Sequence, residues 1–161
     1  KHIKKNISFS NLICIAPDVG GVERTRALSR RISVGIAIID KRRPTPGKSE
    51  VMNIVGNVKN KTCVIVDDII DSGGTIVNAA RTLKDKGAKD IYAYITHAVL
   101  SSNAIDKIKK SQLKKMVTTD SIDNSKKIKG ITKIEVISIA SMMSEAIKRI
   151  SNSTSVSSLF K

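Results

Sequence analysis

The chain has 161 residues, a length that suits one globular domain with a core of its own. Its 40% hydrophobic content excludes a disordered chain, and no apolar run approaches the roughly 18 residues that a membrane span needs. The formal net charge of +15 is high, but 2% aromatic residues provide no stacking platform for single-stranded nucleic acid, and the lysines are spread out. We therefore expect neither a nucleic-acid nor a membrane partner, and attraction of small phosphorylated ligands is the better use of this charge.

Hydrophobic periodicity predicts strands that alternate with helices along the whole chain. The predicted strands cover residues 12–17, 34–40, 51–56, 63–68, 91–96, 115–118 and 133–137, of which 51–56 is expected at an edge or in a hairpin. The predicted helices cover residues 18–32, 75–86, 103–110 and 139–150, and a Ser-rich tail occupies 151–161. This alternation indicates an α/β fold with a parallel sheet and helices on both faces. In such sheets, ligands bind beyond the carboxyl ends of the strands.

The first strand of interest ends in a glycine turn. Residues 16–22, APDVGGV, place Asp18, Gly20 and Gly21 between a strand and a helix. The amides of the two glycines could hold a diphosphate, and Asp18 could ligate the accompanying Mg²⁺, but a plain helix cap explains Asp18 equally well.

A basic segment follows the next strand. Residues 40–44, DKRRP, place Lys41 and Arg43 at the start of a loop that contains proline and glycine. Such a loop could close over phosphates and neutralise charge that develops in phosphoryl transfer. A solvated basic turn is the structural alternative.

The strongest motif is VIVDDIIDSGGT, residues 64–75, where a buried strand leads into a short loop and a helix. Loop amides, hydroxyl groups and the positive end of the helix could together hold a phosphate. The residues of this predicted phosphate loop are Asp71, Ser72, Gly73, Gly74 and Thr75. Asp67 and Asp68 suit sugar hydroxyls, or Mg²⁺ that contacts the ligand. The motif therefore predicts a ribose phosphate pocket, whereas an ordinary strand, turn and helix would explain only one or two of its polar residues.

These three motifs, in this order, resemble the C-terminal half of the ribose-phosphate pyrophosphokinase family, which has a type I phosphoribosyltransferase-like fold. The resemblance covers almost the whole chain. It implies that residues 1–150 form the ribose 5-phosphate-binding domain, that 151–161 is a tail, and that the family's N-terminal ATP-binding half is absent from this sequence.

The resemblance implies transfer of diphosphate from ATP to the anomeric hydroxyl of ribose 5-phosphate, which yields phosphoribosyl pyrophosphate and AMP for nucleotide biosynthesis. It assigns Asp67 and residues 71–75 to ribose 5-phosphate, Asp18 to Mg²⁺, and Lys41 and Arg43 to catalysis. It also implies hexamers where both halves are present. Because half of the ATP site would be missing, we expect this chain alone to bind ribose 5-phosphate weakly and to turn over poorly or not at all.

Two alternatives remain open beside this interpretation. A salvage phosphoribosyltransferase would share the loop at 71–75, although the basic segment at 40–44 and the lack of an evident base-recognition hood count against it. A non-catalytic regulatory partner subunit could keep the pocket for sensing. Cys14 and Cys63 each lie in an apolar run, which predicts buried thiols rather than a disulfide framework and favours a reducing, cytoplasmic location.

Overall fold

Seven strands form a single sheet in the order β3-β2-β1-β4-β5-β6-β7. The structure is a computed structural model that describes residues 2–42 and 51–160. The strands are β1 (Leu12–Ala16), β2 (Gly35–Arg42), β3 (Val51–Val55), β4 (Thr62–Ile70), β5 (Asp90–Ala98), β6 (Lys115–Thr119) and β7 (Ile134–Ile137). The helices are α1 (His2–Asn6), α2 (Val22–Ile32), α3 (Gly74–Asp85), α4 (Ala104–Lys110) and α5 (Ala140–Ser151), and a 3₁₀ turn spans Ser157–Phe160.

Five of the six strand pairs are parallel, and only β2 and β3 pair antiparallel. Parallel neighbours need a crossover connection, which α2, α3 and α4 provide after β1, β4 and β5. The sequence prediction of an α/β sheet with an edge strand near residues 51–56 is therefore confirmed.

Helices cover both faces of the sheet, as predicted. On one face, Ile65 of β4 packs in a cluster with Ile76 and Leu83 of α3 and Ile108 of α4. On the other face, α1 and α2 cover a smaller cluster that contains Cys14 and Val64. Both cysteines are fully buried, and burial raises the pKa of the Cys14 and Cys63 thiols to about 12, so they act as small apolar residues.

The sequence analysis missed α1, because five residues are too few to show a helical period. Tertiary contacts hold this helix on the sheet. The two ring nitrogens of His2 lie 2.9 Å from the Tyr94 hydroxyl and 3.0 Å from a Glu135 carboxylate oxygen, and Ile3 is buried. Long-range side-chain contacts therefore stabilise α1.

The sheet also extends further toward the candidate site than predicted. β4 continues past Asp68 to Ile70 because β5 pairs with it as far as the Ile70–Ala98 register. In contrast, α5 buries none of its residues within the part of the chain that the structure describes. No helix among residues 2–42 and 51–160 is long and apolar enough to cross a membrane.

The central strand supplies a direct stability test. Ile65 is fully buried, whereas Ile69 on the same strand is 51% exposed. We expect Ile65→Ala to lower the free energy of unfolding by about 2–5 kcal/mol, because it removes apolar contacts and leaves a cavity. Ile69→Ala is the matched control and should change it by less than about 0.5 kcal/mol. Urea unfolding followed by circular dichroism measures both, and equal effects would contradict the difference in burial between Ile65 and Ile69.

Candidate functional site

A cavity of about 420 Å³ lies at the end of the sheet where β1 and β4 finish. Because these strands are parallel neighbours, the segments that follow them meet at the same edge. The polar and glycine residues that line it are Asp18, Gly20, Arg24, Asp67, Asp68, Asp71, Ser72, Gly73, Gly74 and Thr75. Two of the three predicted motifs thus share one cavity.

The predicted phosphate loop has the backbone that an anion site requires. Gly73 has φ +77° and precedes the first residue of α3, a helix of 12 residues. An L side chain is strained at this φ, so glycine suits the position. The start of α3 then presents amides and a partial positive charge to the cavity. Lys107 donates to the Ser72 carbonyl oxygen at 3.1 Å, which ties the loop to α4.

The turn at Gly20 and Gly21 does not leave both amides free to bind a diphosphate, although the sequence analysis had suggested that it would. Oδ1 of Asp18 accepts the Gly21 N–H at 2.9 Å, and α2 begins at the next residue. The Gly21 amide is therefore engaged by Asp18 in this conformation, and only Gly20 of the two glycines borders the cavity. Asp18 thus closes the turn before α2, as the helix-cap interpretation expected, and it also lines the cavity.

Arg24, which the sequence analysis missed, connects the two halves of the site. Its guanidinium nitrogens lie 2.5 Å from a carboxylate oxygen of Asp67 and 2.7 Å from one of Asp68. The arginine comes from the first turn of α2, and the aspartates come from β4. The available signal was its position three residues after the glycine turn, on a helix that packs beside β4.

Asp67 is the less exposed of the two aspartates, with a side-chain exposure of 12% against 55% for Asp68. Burial raises the pKa of the Asp67 carboxyl, and Arg24 works in the opposite direction. The arginine thus keeps a partly buried carboxylate available to accept hydrogen bonds. It also limits repulsion between the two adjacent negative charges.

The carboxylates that line the cavity are too few to enclose Mg²⁺ by themselves, but they could hold it together with water and a substrate phosphate. Among residues 2–42 and 51–160, no three His, Cys, Asp or Glu side chains lie together as a metal cluster. Mg²⁺ commonly uses one or two carboxylates and takes its other ligands from water and substrate phosphates. Asp18 fits that mode, because it lines the same cavity as the phosphate loop.

The catalytic residues predicted from the basic segment are not part of the described site. Arg43 lies outside the described residues, and Lys41 is described only through the backbone of β2, where it pairs with Met52. Their catalytic assignment stays a prediction. The two histidines do not line the cavity.

Comparison with known proteins identifies the family. A family described as the phosphoribosyl synthetase-associated domain matches residues 41–161, more than half of the chain. The chain belongs to this family. This finding confirms the resemblance found in the sequence.

Individual relatives agree with the family. The chain is 52% identical over 160 residues to a ribose-phosphate pyrophosphokinase of Bradyrhizobium diazoefficiens, covering 99% of this chain and 50% of that protein. It is 51% identical over 153 residues to the ribose-phosphate pyrophosphokinase of Bordetella pertussis, covering 95% and 49%. The chain thus spans about half the length of the curated relatives it matches.

A solved structure agrees in fold. The phosphoribosylpyrophosphate synthetase of Mycobacterium smegmatis matches with a TM-score of 0.84 at 29% sequence identity, covering 94% of this chain and 49% of that one. The chain therefore shares its fold with about half of that synthetase.

The ion pairs of Arg24 predict a pH-dependent loss of stability. Arg24→Gln removes the cation beside Asp67, so the pKa of that carboxyl should rise further above its ordinary value of about 3.9. An ionised carboxyl with a raised folded-state pKa destabilises the fold, and this penalty disappears once the group is protonated in both states. We expect the variant to lose about 1–2 kcal/mol at pH 7 and progressively less toward pH 4.

Urea unfolding of both proteins across this pH range measures the difference. Arg26→Gln is the matched control, because Arg26 is an exposed arginine on the same helix. A loss that is constant with pH, or equal in the control, would contradict the role of Arg24.

Proposed function

We propose that this chain is the ribose 5-phosphate-binding part of a ribose-phosphate diphosphokinase, which transfers diphosphate from ATP to the anomeric hydroxyl of ribose 5-phosphate. The observation that carries the proposal is the shared cavity of the phosphate loop, Asp18 and the Asp67–Asp68 pair. A phosphate loop beside carboxylates is the arrangement that a phosphorylated sugar needs. The names and about 50% identity of the relatives support the same substrate.

In this proposal, the loop at residues 71–75 binds the 5-phosphate through backbone amides, hydroxyls and the start of α3. Asp67 accepts hydrogen bonds from the ribose hydroxyls. Arg24 is a positioning residue, since its two hydrogen bonds fix the carboxylates of Asp67 and Asp68. Together these contacts orient the sugar, and orientation is a large part of catalysis in diphosphate transfer.

Mg²⁺ would neutralise phosphate charge during the transfer, and Asp18 is the residue of the described chain that would hold it. Gly20 borders the cavity where a diphosphate would lie. Lys41 and Arg43 would supply cations to the transferred group, as the resemblance implies. Each of these residues serves charge neutralisation, the main demand of a reaction at a polyanionic phosphate.

ATP, AMP release and assembly into hexamers belong to the whole protein, and this chain spans about half the length of its relatives. We propose that the remaining half supplies much of the ATP site. The product serves nucleotide biosynthesis, for which a cytoplasmic location is expected.

Ligand binding tests the phosphate loop. Isothermal calorimetry should show that the chain binds ribose 5-phosphate and binds unphosphorylated ribose more weakly. Ser72→Ala removes a hydroxyl from the loop and should weaken ribose 5-phosphate about tenfold, the effect of losing one hydrogen bond to a charged group. Ser10→Ala is the matched control, because Ser10 lies just before β1, at the amino ends of the strands and away from the cavity. Equal affinities for the two sugars would contradict the assignment.

The reaction itself separates the alternatives. With ATP, Mg²⁺ and ribose 5-phosphate, we expect the chain alone to form AMP poorly or not at all compared with relatives of full length, and any AMP formed should need all three. Diphosphate release from phosphoribosyl pyrophosphate that depends on a nucleobase would instead establish the salvage transferase. Tight ribose 5-phosphate binding without either reaction would favour the regulatory subunit. Fast turnover by this chain would contradict the expectation that it lacks half of the ATP site.

A further inference from the structure

The predicted phosphate loop rests on the segment that joins β5 to α4, on the side away from the cavity. The Ile70 carbonyl oxygen accepts the N–H groups of Val99 at 2.9 Å and Leu100 at 3.3 Å. The Asp71 carbonyl oxygen accepts the Ser101 N–H at 3.2 Å. These three donor residues do not line the cavity. The two carbonyls therefore point to the back of the loop.

The next two carbonyls of the loop are engaged as well. The Ser72 carbonyl oxygen accepts a hydrogen bond from Lys107 Nζ at 3.1 Å, and Lys107 does not line the cavity either. The Gly73 carbonyl oxygen accepts the Val77 N–H at 3.0 Å, at the start of α3. Backbone amides thus hold three of the four consecutive carbonyls at residues 70–73. The Ser72 carbonyl is the one that a side chain holds.

The direction of each carbonyl fixes the direction of the next amide. In a trans peptide the C=O and the following N–H point in opposite directions, and all described peptide bonds are trans. Because the carbonyls of residues 70–72 point to the back of the loop, the N–H groups of residues 71–73 point toward the cavity. No carbonyl oxygen within residues 2–42 and 51–160 accepts any of these three N–H groups. They are suitable donors to an anion.

The peptide between Ser72 and Gly73 is the one that can turn over most easily. Such a flip changes ψ of Ser72 and φ of Gly73, and glycine accepts a φ of either sign at little cost. The hydrogen bond from Lys107 favours the orientation in which the Gly73 N–H faces the cavity. The ammonium charge also polarises this peptide, which makes its N–H a stronger donor.

We propose that Lys107 is a positioning residue of the phosphate site. Its hydrogen bond to the Ser72 carbonyl oxygen orients the Gly73 N–H toward the phosphate of the ligand. Lys107 acts through the loop, since it does not border the cavity itself. The identity of the ligand as ribose 5-phosphate rests on the proposed function. The contact itself serves any phosphate group that the loop binds.

Isothermal calorimetry of the 161-residue chain tests the proposal with three ligands. Lys107→Met should weaken ribose 5-phosphate and inorganic phosphate about tenfold, because the Gly73 N–H is no longer held toward the phosphate. Ribose lacks a phosphate, so its affinity should be the same in the variant and in the wild type. A general loosening of the domain would instead weaken all three ligands and would contradict the positioning role.

Two further variants separate the hydrogen bond from the charge. Lys107→Arg keeps a charged donor and should restore most of the phosphate affinity that Lys107→Met loses. Lys110→Met is the matched control, because it removes the same charge from an exposed position on α4. It should bind phosphate as the wild type does. An equal loss in Lys110→Met would show that long-range charge acts instead of the contact with Ser72.

Nuclear magnetic resonance reads the orientation of the peptide without a ligand. The Gly73 amide signal should shift or broaden in Lys107→Met, since the peptide gains a second orientation, and should keep its wild-type position in Lys110→Met. An unchanged Gly73 signal, or wild-type phosphate affinity in folded Lys107→Met, would overturn the proposal.

The two proposals can be told apart when they fail. A wild-type chain that binds inorganic phosphate, but ribose 5-phosphate no better than ribose, would contradict the proposed function. The phosphate titrations of Lys107→Met would still decide the role of Lys107 in that case. A wild-type chain that binds neither phosphate nor ribose 5-phosphate would overturn both proposals.

Discussion

The parallel pairing of β1 with β4 is the constraint on which the candidate site depends. It brings the segment after Ala16 next to the segment after Asp67, although about 50 residues of chain separate them. Each strand on its own would end in a short polar loop that forms no cavity. Side by side, the loops supply a carboxylate, glycine amides and a helix start to one cavity. Both strands lie in the middle of the sheet, because their side chains are apolar and buried on both faces.

The acidic side chains of the candidate site contrast with the positive net charge of the whole chain. The protein is strongly basic, yet Asp67 and Asp68 line one side of the cavity. Arg24 reconciles these features, since it donates to Asp67 and Asp68 from the neighbouring helix. Burial would favour protonation of Asp67, and the guanidinium opposes that effect. In the proposed function, the field of the lysines attracts phosphates from a distance, and the two aspartates of β4 bind the sugar.

The sequence by itself determined the α/β class, most strand and helix positions, and the polar residues of the phosphate loop. These features are local: apolar periodicity sets the elements, and a run such as DSGGT shows its chemistry in consecutive residues. Only the tertiary structure decided the use of the Gly21 amide by Asp18 and the contact of Arg24 with Asp67 and Asp68. The Arg24 contact joins residues that are distant in sequence, which composition and spacing do not encode. The Asp18 contact is local, but the sequence left two roles open for that residue; the fold shows the turn-closing contact, and Mg²⁺ binding by Asp18 stays a proposal.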